Sequence, residues 1–199
     1  MTDHKSQIEY LIERLTPQLD THQIGNVNYA YEVAADAHSN QTRDEGTPYI
    51  VHPVRVAVSL VDELSLFSPN LICSALLHDV IEDSEITRAD IARMFNEEIA
   101  NVVWLLTKLK EVRLSDYLAR IEAAADTGAP IVKLCDRLDN LRSVVYSPGL
   151  EKKRRYIRTT EELYLPLAAR TNSYLHNELK RWLEEARDDL SRFESASPR

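Results

Sequence analysis

Apolar residues in this chain recur at intervals of three and four almost from end to end, and strict alternation of apolar with polar residues is nearly absent. A half-buried strand needs a period of two and a helix a period of 3.6, so the pattern restricts the chain to packed helices, and an all-α fold is expected. Helices are read near residues 5–15, 27–38, 50–64, 70–82, 87–95, 97–109, 114–125, 130–146, 151–170 and 173–194. The breaks carry turn chemistry: SNQTRDEGTP, SPN, DTGAP and SPG. No internal repeat and no Ser/Gly linker interrupts them, and only the tail SASPR reads as frayed. With 199 residues, 44% hydrophobic and only four glycines, a single ordered domain over 1–199 is expected.

The formal charge of −8 argues against a general electrostatic grip on nucleic acid, so an anionic ligand would need a local basic pocket. The opening MTDHKSQIEYLIERL has no uninterrupted apolar stretch that could act as a signal segment, and no run approaches a membrane span. A cytoplasmic protein without a membrane partner is expected. Cys73 and Cys135 each lie in an apolar helical pattern with no CxxC, which reads as two buried thiols rather than a disulfide or a zinc knuckle.

LLHDVIEDSE, residues 76–85, stands apart: an apolar run ends in His78, Asp79, Glu82 and Asp83. On a continuous helix over 70–82, Cys73, Leu77, Val80 and Ile81 form a core stripe, while Ala75, His78, Asp79 and Glu82 share another face with Asp83 at its edge. A solvated polar face is the plain reading. Two features oppose it. Three acids at a helix C-terminal end work against the macrodipole, at up to about 1 kcal/mol each. The flanking LICSALL also marks the helix as buried, where an unpaired carboxylate is unfavourable. A divalent cation would answer both points, and its other ligands must come from elsewhere. His52, in PYIVHPVRVAVSLV, opens a strongly apolar helix, where a packed or capping histidine is the alternative. Asp136, in APIVKLCDRLDNLRSVV, lies opposite the stripe of Ile131, Leu134, Leu138, Leu141 and Val145, beside Lys133, Arg137 and Asn140. An exposed face is the alternative there, although Asn140 inside a helix requires a partner for its amide.

PYIVHP, LLHDVIED and KLCDRLDNLR, in that order, resemble the HD-domain hydrolase half of the RelA/SpoT proteins, and the length is similar to that of the stand-alone small alarmone hydrolases. The resemblance runs from about Asn28 to Arg170, with the helix at 173–194 completing the bundle. It implies an HD-domain metal-dependent phosphohydrolase that removes the 3′-pyrophosphate of (p)ppGpp, giving GDP or GTP and pyrophosphate. It implies His52, His78, Asp79 and Asp136 as ligands of Mn²⁺, with Fe²⁺ or Zn²⁺ as competitors, and Glu82 and Asp83 as the acids that position or deprotonate the attacking water. Arg43 corresponds to the arginine that packs against the nucleobase, Asn140, Ser143 and Tyr146 to substrate contacts, and His38 to a structural position. A mixed nitrogen and oxygen site suits such cations, which lower the pKa of bound water toward ~7. Lys133, Arg137 and Arg142 are candidates to meet the leaving pyrophosphate, whereas KKRR at 152–155 reads as solvated surface.

One departure concerns the substrate. Where the family usually has RKSGEPY this chain has RDEGTPY, so Asp44 and Glu45 stand beside Arg43. A carboxylate can accept hydrogen bonds from guanine N1 and N2, which would keep guanine reading by other means. The same change leaves (p)ppApp or NADPH open as substrates. Nothing after Arg170 resembles a synthetase domain, so hydrolysis without synthesis is expected. A non-catalytic nucleotide sensor is the remaining reading, opposed by the presence of Glu82, Asp83 and all four ligand positions.

Overall fold

The computed structural model describes residues 4–147 and 149–196. Among these residues the regular elements are all helical, and the extended pairing is an isolated bridge between Thr42 and Pro48. The chain divides into two compact units, Met1–Val132 and Lys133–Arg199.

The first unit holds α1 (His4–Leu15), α2 (Thr21–Ala37), α3 (Val51–Asp62), α4 (Pro69–Leu76), α5 (Val80–Asp83), α6 (Arg88–Met94), α7 (Glu97–Leu106) and α8 (Leu114–Ala123). Helix starts are written into the sequence as caps. Asp20 with Gln23 and Thr87 with Asp90 form capping boxes, and Asn96 accepts the Ile99 N–H at 2.9 Å. α4 packs against α2, α3 and α7, so Ile72 through Leu76 are all fully buried, while Pro69, Asn70 and Leu71 at its start are half-buried. That explains the almost wholly apolar LICSALL, whose one hydroxyl, Ser74, donates to the Asn70 carbonyl at 2.8 Å: a helix surrounded by helices is hydrophobic nearly all round.

The helix expected over 70–82 is broken. α4 stops at Leu76, residues 77–79 form a turn, and α5 resumes at Val80. A continuous helix would give the Ala75 carbonyl to the Asp79 N–H; here the His78 ring Nδ1 donates to it at 2.8 Å. Tighter bonds from the N–H of Val80 to Leu77 and of Glu82 to Asp79 carry the chain across the break.

Gly128 has a φ of +79°, where a non-glycine residue is strained, and lets the chain enter α9 (Ala129–Val144), which carries it into the second unit. There α10 (Leu150–Thr159), a π-helical turn (Thr160–Tyr164) and α11 (Leu165–Thr171) pack on α12 (Ser173–Ala196). The helix expected over 151–170 is therefore continuous but widened in its middle. Pro166 lacks an N–H and its ring crowds the carbonyl four residues back, and the π turn, closed by Leu165 N–H to Thr160, relieves that clash. Leu175, Leu179, Leu183 and Ala186 form the buried stripe of α12, as the amphipathic pattern predicts, whereas Trp182 is only half-buried with Arg181 over its ring. Of KKRR, expected to be solvated, Arg154 and Arg155 are exposed and Lys152 is half-buried, but Lys153 departs from the expectation. Lys153 is fully buried, donating to Asp189 and, at 2.9 Å, to the Val145 carbonyl. Of the expected frayed tail, Ser195 and Ala196 end α12, and 197–199 lie outside the described residues, as does Pro148 in the SPG break.

Candidate active site

Three of the expected ligand positions meet in the first unit. His52 lies in the first turn of α3, and His78 and Asp79 occupy the break between α4 and α5. One donor atom from each falls within 4.8 Å of the others. Asp79 Oδ2 is 3.1 Å from His78 Nε2 and 3.9 Å from His52 Nε2, and the two imidazoles meet edge-on with centroids 5.1 Å apart. Both histidines are 1% exposed. The break in the helix decides the chemistry of His78. A carbonyl oxygen only accepts, so Nδ1 must carry the proton and Nε2 presents its lone pair to the cluster. Two imidazole nitrogens and a carboxylate oxygen at these separations match a divalent cation with bonds of about 2.0–2.2 Å, and the residues fit such an ion.

Tyr49, quoted in PYIVHP and given no role by the sequence, donates its hydroxyl to Asp79 Oδ2 at 2.7 Å. The two acids beyond the cluster sit on α5. Glu82 Oε1 accepts the Lys108 backbone N–H, which anchors one carboxylate oxygen just past the end of α7. Asp83 is 3.8 Å from His38 Nδ1, and desolvation, followed by the charge of Asp79, pushes its carboxyl above the usual aspartate range. His38 is 2% exposed, bonded to Gln41 at 2.7 Å and stacked on Tyr49 at 4.7 Å, which fits its structural reading.

The polar loop between α2 and α3 is ordered by its own backbone. Arg43 N–H donates to Thr47 at 2.9 Å, Gly46 N–H to Arg43 at 2.9 Å, and Tyr49 N–H to Gln41 at 3.0 Å, with Gly46 at a φ of +79°. Glu45 Oε1 lies 3.4 Å from Arg43 Nε and 3.9 Å from Arg55, and accepts from Thr47 at 3.2 Å. Glu45, one of the two extra acids of RDEG, thus stands against two guanidinium groups, and the Arg43 side chain is only 9% exposed.

The remaining expected residues belong to the second unit. On α9, both oxygens of buried Asp136 are engaged: Lys133 donates to Oδ2 at 2.7 Å and Asn140 to Oδ1. The Asn140 amide has thereby found a partner, one turn from the aspartate. Ser143 bonds back to the Asp139 carbonyl at 3.0 Å, and Tyr146 is 77% exposed. Of the cations considered for pyrophosphate, Arg137 is unsuited. It is buried, donates to Thr159, and lies over the Tyr164 ring at 3.9 Å and the Tyr156 ring at 4.6 Å. Arg142 faces Glu178 at 3.4 Å.

A family model described as "HD domain" matches residues 30–173. The chain is 39% identical over 189 residues to the bifunctional (p)ppGpp synthase/hydrolase SpoT of Escherichia coli, covering 88% of this chain and 26% of that protein. It is 34% identical over 183 residues to the guanosine-3′,5′-bis(diphosphate) 3′-pyrophosphohydrolase of Aquifex aeolicus, with the same two shares, 88% and 26%. The chain thus spans about a quarter of the length of these curated relatives. A solved structure, described as a metazoan ortholog of SpoT that hydrolyzes ppGpp, is similar with a TM-score of 0.71 at 26% identity, covering 80% of this chain and 94% of that one. No helix among the described residues is long and apolar enough to cross a membrane. The resemblance to RelA/SpoT-type HD domains carried by PYIVHP, LLHDVIED and KLCDRLDNLR is borne out by these relatives, and by sequence and by its all-helical architecture the chain belongs to the HD-domain family.

Proposed function

We propose that this chain hydrolyses the 3′-pyrophosphate of (p)ppGpp in a Mn²⁺-dependent reaction, releasing GDP or GTP and pyrophosphate. The observation that carries the reading is the convergence of His52, His78 and Asp79 in a buried cluster next to Glu82 and Asp83. The names of the relatives supply the substrate class. Asp136 is the fourth ligand in this reading. Its support is that it lies in KLCDRLDNLR, within the residues 30–173 that the HD-domain model matches. A bound cation would supply Lewis acidity toward a phosphoryl oxygen and a lowered pKa for water.

The chain's own groups do the rest. Glu82, with one oxygen held by the Lys108 N–H, turns the other to the attacking water and fixes its direction. Asp83, its carboxyl pushed up by desolvation, takes the water proton. The water oxygen bonds to the phosphorus nearest the ribose, the bond from that phosphorus to the 3′ oxygen breaks, and the proton ends on that oxygen. Arg43 packs on the base, and Asn140, Ser143 and Tyr146 line the nucleotide pocket. Glu45 beside Arg43 favours one second reading, the same chemistry on (p)ppApp or NADPH, because it changes the charge at the base-contacting arginine. Chelator-stripped protein assayed with ppGpp, ppApp and NADPH, with and without Mn²⁺, tests both. Manganese-dependent GDP and pyrophosphate from ppGpp is expected. Orthophosphate as the product, or turnover of ppApp or NADPH alone, overturns the substrate assignment, and no turnover of any of them supports a sensor.

A further inference from the structure

We propose that Tyr49 is a positioning residue of the metal centre, holding Asp79 in the orientation that ligates. The inference rests on the metal-site reading above and goes beyond it to a residue outside the ligand set. The Tyr49 hydroxyl donates to Asp79 Oδ2 at 2.7 Å, and Oδ2 is the oxygen that lies 3.1 Å and 3.9 Å from the two imidazole nitrogens. A carboxylate oxygen has two lone pairs, so Oδ2 can accept the phenol proton and still face a cation. Without the hydroxyl, Oδ2 loses the donor that fixes its direction toward the two imidazoles. The ring of Tyr49 is itself clamped, at 4.7 Å from His38 and 5.8 Å from His52, and its backbone N–H is tied to Gln41 at 3.0 Å. Gln41 in turn bonds His38, so both edges of the Arg43 loop end on the residue that holds the ligand. Partners of this outer kind are worth about 10–100-fold in metal affinity when removed.

The test is Tyr49→Phe, which keeps the ring and its packing and deletes only the hydroxyl. Manganese is titrated into the chelator-stripped protein by calorimetry, and the melting temperature of the metal-free protein is read alongside. Tyr10→Phe is the control, because Tyr10 makes the same 2.7 Å hydroxyl bond to Asp62 in the same unit, away from the cluster. The expected result is a Kd for Mn²⁺ raised about 10–100-fold in Tyr49→Phe and unchanged in Tyr10→Phe. With nucleotide at saturating manganese, KM should stay at the wild-type value. An unchanged Kd in Tyr49→Phe overturns the inference and leaves the metal site standing, and equal shifts in both variants overturn it as general destabilisation. A wild-type protein that binds no manganese removes the metal-site reading, and this inference with it.

Discussion

Glu82→Gln is the sharpest probe of the proposed chemistry, because the structure separates what the substitution keeps from what it removes. The glutamine carbonyl can still accept the Lys108 N–H, so the side chain remains anchored. The second oxygen becomes an amide that donates, and it can no longer accept from a water. A positioned acid or base that transfers the proton contributes typically 10²–10⁴-fold, or about 2.7–5.4 kcal/mol at 1.36 kcal/mol per decade, and a group that only directs the water belongs at or below the lower bound. Glu82 is exposed, where solvent screens its charge, and Asp83 stays in place one residue on. Both facts put the expected loss near the lower end, about 10²-fold in kcat. Folding should change by less than about 0.5 kcal/mol, as for most surface substitutions. The assay is steady-state release of pyrophosphate at saturating manganese, with metal stoichiometry measured on the same sample. Full metal content, near wild-type KM and the reduced kcat are expected. Wild-type kcat would remove Glu82 from the mechanism, and loss of metal would make it a ligand.

Three further outcomes follow from the same geometry. Asp136→Ala should abolish stoichiometric Mn²⁺ binding together with turnover, and a variant that still titrates one equivalent in calorimetry refutes the fourth ligand. Arg43→Ala should raise KM with kcat nearly unchanged, the signature of lost uniform binding, and an unaltered KM means that the loop does not reach the base. Asp189→Ala strands the buried Lys153 ammonium on the Val145 carbonyl, and breaking such a pair costs about 3–5 kcal/mol. Asp189 is a quarter exposed, which favours the low end; about 3 kcal/mol corresponds to roughly 6–12 °C in melting temperature for a protein of this size. Adding Lys153→Met should restore most of the loss, and a double variant as unstable as the single one contradicts the ion-pair account.

The difference between what could and could not be read from the sequence follows from where each signal resides. Helix periodicity is local, so most elements were legible within a few residues, although α2 begins at Thr21, six residues before the expected start at 27. The interruption at 77–79 was not, because it depends on the His78 ring taking the Ala75 carbonyl, a choice that an apolar pattern does not encode. Lys153 misled for a related reason: charge in a run suggests solvent, and the partner that buries it is Asp189, 36 residues away. His78 and Asp79, proposed as ligands, could be singled out because titratable residues in apolar surroundings are anomalous in a helix, whereas His52 needed the family resemblance to stand out from a packed histidine. Tyr49 carries no such anomaly, since a tyrosine at the edge of PYIVHP is ordinary core material until its hydroxyl is found on Asp79. Reacting groups are legible because their residue types conflict with their context. The groups that orient them conform to theirs, and only the fold distinguishes them from packing.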